Sequence, residues 1–160
     1  MSTSPALRVG TGVDVHAYDH SARLRLAGLT WPDEPGLSGH SDGDAVCHAI
    51  VDALLSAAGL GTIGDLVGVD EPTTVAADST TFVTQAARLL YEHSWQVINV
   101  SVQIIGEHPR SAPRRSEAEA RMSDLLGAPV SIGATTTDHL GFTGRGEGLA
   151  VIATALIQGS

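Results

Sequence analysis

Two apolar periodicities alternate along this chain, and that alternation limits its fold more than any other feature. Residues 7–16, 96–105, 130–136 and 149–158 follow the period of two expected of strands, and 24–29 form a short further strand suited to half of a hairpin. Residues 41–59, 78–93 and 111–126 carry helical spacing instead. The first helix starts among Ser41, Asp42 and Asp44, whose oxygens suit free amides, and stops at Gly59; Asp78 or Ser79 caps the second; Gly127 ends the third. Strands interleaved with helices predict an α/β or α+β sheet with helices on one face. No repeat, low-complexity segment or linker interrupts the pattern, so a single domain over 1–160 is expected.

Composition removes several chemistries. Cys47 is the only cysteine, which excludes an internal disulfide and a multi-thiolate zinc site and leaves nitrogen and oxygen as metal ligands. All 9 basic residues are arginines. Without lysine there is no Schiff base, no P-loop lysine and no lysine general base. The net charge of −9 argues against nucleic acid as a partner. An acidic chain that binds a phosphate ester must bring in cations, glycine-rich backbone amides and a few placed arginines. Residues 1–8 lack an apolar signal core, and the longest apolar run, 149–157, is far shorter than the ~20 residues of a membrane span. A soluble cytoplasmic protein with no membrane partner is the expectation.

Three motifs carry candidate chemistry. In Asp14-Val15-His16, the i and i+2 side chains project together from the end of the first strand, side by side as metal ligands would be. His48, on the following helix, offers a third ligand, and three protein ligands with one open position are the arrangement of a catalytic zinc. A lone helical histidine is equally read as a structural residue. Asp44 and Asp52 share its stripe, either as acceptors that fix the imidazole or as capping and solvent-facing groups. His40-Ser41-Asp42-Gly43-Asp44 joins a loop to a helix N-terminus, where amides and the macrodipole receive anions; His40 and Ser41 bind a phosphate there, or Ser41 and Asp42 merely cap. Finally, residues 134–148 run Thr135-Thr136-Thr137-Asp138 into Gly141, Gly144, Gly146 and Gly148, with Phe142, Arg145 and Glu147 between them. A plain turn needs neither three threonines nor an arginine.

Taken in order, these motifs resemble those of the 2-C-methyl-D-erythritol 2,4-cyclodiphosphate synthases of the non-mevalonate isoprenoid pathway, nearly end to end from Arg8 to Ile157. The resemblance implies a ferredoxin-like α/β sandwich with a mixed sheet, assembled as a homotrimer with active sites between neighbours. It implies conversion of 4-diphosphocytidyl-2-C-methyl-D-erythritol 2-phosphate to the cyclodiphosphate and CMP, by attack of the 2-phosphate on the β-phosphorus. It assigns zinc to Asp14, His16 and His48, and a second divalent ion, magnesium or manganese, to the diphosphate, with Asp138 where a glutamate is common. His40 and Thr136 take the catalytic positions. Substrate contacts fall to Asp14, Val15, His16, His40, Ser41, Thr62, Ile63, Gly64, Gly106, Arg110, Thr135, Thr136, Thr137, Asp138, Phe142 and Arg145. Residues 106–112 match the cytidine loop, with Arg110 in place of a lysine. Phe142, Arg145 and Glu147 match residues near a trimer axis whose central cavity takes an isoprenoid diphosphate.

The chain departs from the family at Thr62, where an aspartate is usual, and at Val67 and Val69, within a segment that usually reads Phe-Pro-Asp-Thr-Asp. Loss of one charged acceptor weakens substrate binding by ~1–3 kcal/mol unless Thr62 or Asp65 compensates. Two other readings follow from the same residues: a zinc-dependent phosphohydrolase that admits water, and a trimeric isoprenoid-diphosphate binder without turnover.

Overall fold

The computed structural model describes residues 5–39, 41–67 and 77–160. Strands β1 (Leu7–Leu26), β2 (Leu29–Leu37), β3 (Trp95–Ile105), β4 (Val130–Thr135) and β5 (Gly148–Gly159) form one sheet in the order β2-β1-β5-β3-β4. Only β3 and β4 pair in parallel; β1–β2, β1–β5 and β3–β5 are antiparallel. Helices α1 (Ala45–Ala58), α2 (Ile63–Val67), α3 (Thr80–Glu92), α4 (Arg115–Leu126) and α5 (Gly141–Gly144) complete the described elements, with a 3-10 turn at Ala112–Arg114 leading into α4. The fold is α+β with a mixed sheet. Leu149, Val151, Ala153, Ala155 and Ile157 of β5 are buried with Val100 and Val102 of β3 and Val130 and Ile132 of β4. They meet Ile50, Leu54, Val83, Leu90 and Met122 from α1, α3 and α4, so the helices cover one face.

Helix α1 lies unusually close to β1. A Cβ on Gly10 would fall 2.2 Å from the Ala53 carbonyl oxygen, and one on Gly12 2.0 Å from that of Ala49. Two side-chain-free positions on the strand thus accept the alanine face of the helix, backbone against backbone. That approach brings a helical imidazole level with the strand's polar residues.

Two strand predictions need correction. Asp14 and His16 do not end a strand: β1 continues to Leu26 and absorbs the first half of the predicted 24–29 element. Its pairing with β5 stops at Ala17, after which it pairs with β2 from Tyr18 onward, with register shifts around Arg23. Backbone groups beyond His16 therefore still find partners, and extension continues through polar sequence. Strand β2 is the other half of the hairpin that 24–29 suggests; despite Pro32 and Pro35 it forms because it lies at the sheet edge, where proline is tolerated. The hairpin turns at Ala27 and Gly28, both with positive φ (54° and 69°), as a two-residue turn requires.

Helix α1 begins at Ala45, not at Ser41, because Asp44 is its cap. The Asp44 carboxylate, fully buried, accepts from Cys47 N at 3.1 Å, and also from Ala27 N at 2.9 Å and Gly28 N at 2.7 Å. One side chain therefore fastens the helix start to the hairpin turn. Burial pushes its pKa upward, against the lowering effect of those amides. The short helices α2 and α5 had no readable period in the sequence.

Candidate active site

Asp14, His16 and His48 converge. Their ligand atoms all lie within 4.8 Å of one another, and the side chains are largely shielded. Asp14 Oδ2 sits 2.7 Å from His16 Nε2 and 3.1 Å from His48 Nδ1, and the two rings stand 5.5 Å apart at 51°. His16 Nδ1 faces the Ser38 carbonyl oxygen, which accepts only, so Nδ1 carries the proton and Nε2 presents a lone pair to Asp14. A lone pair facing a carboxylate oxygen needs a positive charge between them. Either a proton or a cation meets that need, and two nitrogens with one oxygen suit a divalent metal with a position left open. Where no ion is bound, burial disfavours charge on both groups. Their mutual hydrogen bond and attraction, together with those of His48 on Asp14 and of the Ser38 carbonyl on His16, outweigh it, holding Asp14 below and His16 above the ordinary values.

Behind His48 the capping reading of Asp44 holds, and the reading of Asp44 and Asp52 as acceptors for the imidazole does not. Neither Asp44 nor Asp52 is bonded to its imidazole: Asp44 caps α1, and Asp52 accepts from Ile63 N at 2.7 Å, holding the start of α2. His48 Nε2 instead meets Ser79 Oγ at 2.9 Å and Ser41 Oγ at 3.0 Å. Ser41, expected beside a substrate phosphate, therefore has its hydroxyl on the far nitrogen of His48. Sequence reasoning took Ser79 only for a helix cap; nothing local in the sequence marks its approach to His48.

The remaining candidates occupy other places. His40 and Val69 lie outside the described residues. Val15 points to the opposite face of the sheet from Asp14 and His16 and is 53% exposed. Gly106, Arg110, Thr135 and Thr136 line one cavity of about 560 Å³, together with Ser111 and Pro113. That cavity's loop is held from β1 and β2, by residues no motif singled out. Tyr18 OH donates to the His108 carbonyl at 2.7 Å and accepts from His108 N at 3.0 Å, while Glu34 accepts from His108 Nδ1 at 2.9 Å. Thr137 is committed to the turn: its hydroxyl donates to the Leu140 carbonyl and pairs with Thr143 at 2.8 Å. Asp138 is exposed, with a φ of +50°, and does not join the metal-ligand cluster within this chain. Phe142 is 40% exposed, and Arg145 pairs with Glu147 at 2.9 Å. Thr62 lines a second cavity, of about 490 Å³, with Asp52 and Gly12. Its N–H and hydroxyl both donate to Asp65 Oδ2, at 2.9 and 3.1 Å. Ile63 and Gly64 form the first turn of α2.

An α+β domain carrying an Asp-His-His metal-ligand cluster at the joint of a strand and a close-packed helix is the class this arrangement defines. The chain belongs to the YgbB family, which matches residues 7–158. It is 52% identical over 152 residues to the 2-C-methyl-D-erythritol 2,4-cyclodiphosphate synthase of Cutibacterium acnes, covering 94% of this chain and 90% of that one. It is 54% identical over 157 residues to the bifunctional enzyme IspD/IspF of Clavibacter michiganensis, covering 98% of this chain but 38% of that protein. The chain thus spans well under half of the bifunctional relative and most of the single-function one. A solved 2C-methyl-D-erythritol-2,4-cyclodiphosphate synthase in a CDP-bound form superposes with a TM-score of 0.85 at 32% identity, over 94% of this chain and 99% of that one.

Proposed function

We infer that this chain is a phosphorus–oxygen lyase that cyclises 4-diphosphocytidyl-2-C-methyl-D-erythritol 2-phosphate to 2-C-methyl-D-erythritol 2,4-cyclodiphosphate and releases CMP. The observation that carries the reading is the convergence of Asp14, His16 and His48 in a chain similar along nearly all its length to synthases of that name. The attacking phosphate is anionic at neutral pH and needs no strong base, so the protein's task is to position groups and balance charge at phosphorus. A zinc ion on the triad would supply a Lewis acid for a diphosphate oxygen. Asp138 would hold magnesium or manganese, which would neutralise charge on the diphosphate.

The chain's own residues do the rest. The cavity at Gly106, Arg110, Thr135 and Thr136 takes the cytidine end, Arg110 offering fixed positive charge where no lysine exists. Thr136 and His40 stabilise charge as the ring closes. Asp65, beside Thr62, restores a carboxylate near the position where the family usually has one. Since Asp138 stands apart from the triad within one chain, we place the working site between neighbours of a homotrimer of ferredoxin-like sandwiches, each a single domain over 1–160. Phe142 and Arg145 then lie near the axis, around a cavity for an isoprenoid diphosphate, and the assembly works in the cytoplasm.

The test is mass spectrometry of purified protein incubated with the cytidylyl substrate, zinc and magnesium. Cyclic product with CMP is expected. A linear product indicates the phosphohydrolase instead, and binding without CMP release indicates the isoprenoid-diphosphate binder.

A further inference from the structure

We propose that Ser79, gripped by Asp42, is the positioning residue that holds His48 in the tautomer able to bind metal. The inference deepens the metal-centre reading above and rests on it. Asp42 Oδ2 accepts from Ser79 N at 3.0 Å, and Asp42 Oδ1 accepts the Ser79 hydroxyl proton. Ser79 has one hydroxyl proton, and a carboxylate has none to give. Once that proton goes to Asp42, the hydroxyl can only accept from His48 Nε2, 2.9 Å away. The Nε2 position is thereby protonated, and the Nδ1 lone pair is turned toward Asp14 and His16. This is the outer-sphere device that fixes a ligating imidazole, here routed carboxylate to hydroxyl to ring.

Helix capping does not explain the serine. Although Ser79 precedes α3, its side chain makes no capping bond. Asp78 takes that role, accepting from Thr80 N at 3.0 Å and from Thr80 Oγ at 2.7 Å. The Ser79 side chain is left free to face inward, and the residue is fully buried. Arg25 sits 3.8 Å from Asp42 and 3.5 Å from Asp78, holding both carboxylates in place. Ser41, less buried and 3.0 Å from the same His48 nitrogen, can direct its own proton to Ser79 Oγ at 3.2 Å and so accept from His48 as well.

Two measurements test the relay. Zinc affinity is read by competition with a chromophoric chelator for wild type, Ser79→Ala, Ser79→Thr and Ser41→Ala. Exchange of the His48 Nε2 proton with solvent is read by ¹H–¹⁵N NMR of the zinc-loaded, histidine-labelled protein. Ser79→Ala is expected to weaken zinc by ~10–100-fold, Ser79→Thr to restore it, and Ser41→Ala to change it less. The wild-type spectrum is expected to show a slowly exchanging proton on His48 Nε2 and Ser79→Ala a rapidly exchanging one. Unchanged zinc affinity in Ser79→Ala, or a rapidly exchanging Nε2 proton in wild type, overturns the relay. Should Ser79→Ala not fold, the wild-type spectrum decides alone. Failure of wild type to take up zinc would instead overturn the metal centre, and the chelator titration reads that failure before any spectrum is taken.

Discussion

Asp14 stands between two imidazoles, and its charge is tolerated in a shielded place because a proton or a cation lies between it and their nitrogens. Removing one ligand leaves two, too few to hold a divalent ion firmly. His48→Ala is therefore expected to lose most of its bound zinc in metal analysis of the purified protein, and full occupancy would refute the ligand set. The same trio sets a pH dependence for the metal-free protein. Asp14, held below its ordinary 3.8 despite burial, stabilises the fold above that value and ceases to do so as pH falls through its folded pKa. His16, held above its ordinary 6.5 despite burial, stabilises the fold below that value and ceases to do so as pH rises through its folded pKa. Chelator-treated protein is expected to melt at falling temperature as pH climbs beyond about 7, and added zinc to remove that decline. Thermal scans from about pH 5 to about pH 9, with and without zinc, read the effect directly.

Between elements, the β1–α1 contact decides whether the triad exists at all. Gly12→Ala places a methyl 2.0 Å from the Ala49 carbonyl oxygen, a backbone atom that cannot swing aside. Overpacking of this kind costs ~1–3 kcal/mol, and here it also pushes His48 away from Asp14. Urea denaturation is expected to show the lost stability, and zinc affinity is expected to fall with it. Asp44→Ala acts at the other end of α1, orphaning the amides of Ala27, Gly28 and Cys47. A cost of about 3 kcal/mol or more is expected, since each buried donor left unpaired costs ~1–3 kcal/mol. A denaturation midpoint close to wild type would show that those amides find other partners.

Across the whole molecule, the helix-free face of the sheet bears Leu7, Val9, Val13, Val15 and Ile152, exposed by 61, 66, 56, 53 and 38%. Exposed aliphatic side chains gathered on one sheet face mark an interface, and we assign this face to the proposed trimer. A Val9→Glu, Val13→Glu double variant is expected to elute as a monomer and to lose turnover while keeping its own metal triad. Size-exclusion chromatography with light scattering checks the assembly, and a monomeric wild type would refute it. No helix among the described residues is long and apolar enough to cross a membrane.

Local pattern was enough for β3, β4, β5, α3 and α4, whose predicted ends fall within a few residues of those found, because period and capping residues act over a single turn or strand. The metal-ligand types were equally legible, since Asp14 and His16 share a strand face by spacing alone. Everything that depends on distance along the chain came from packing. Strand β2 forms because an edge position excuses its prolines, and Asp44 caps α1 because a hairpin turn offers it two more amides. Ser79 serves His48 across 31 residues of sequence because its hydroxyl donates to Asp42. Spacing states which side chains are able to meet; the close seat of a helix on two glycines decides that they do.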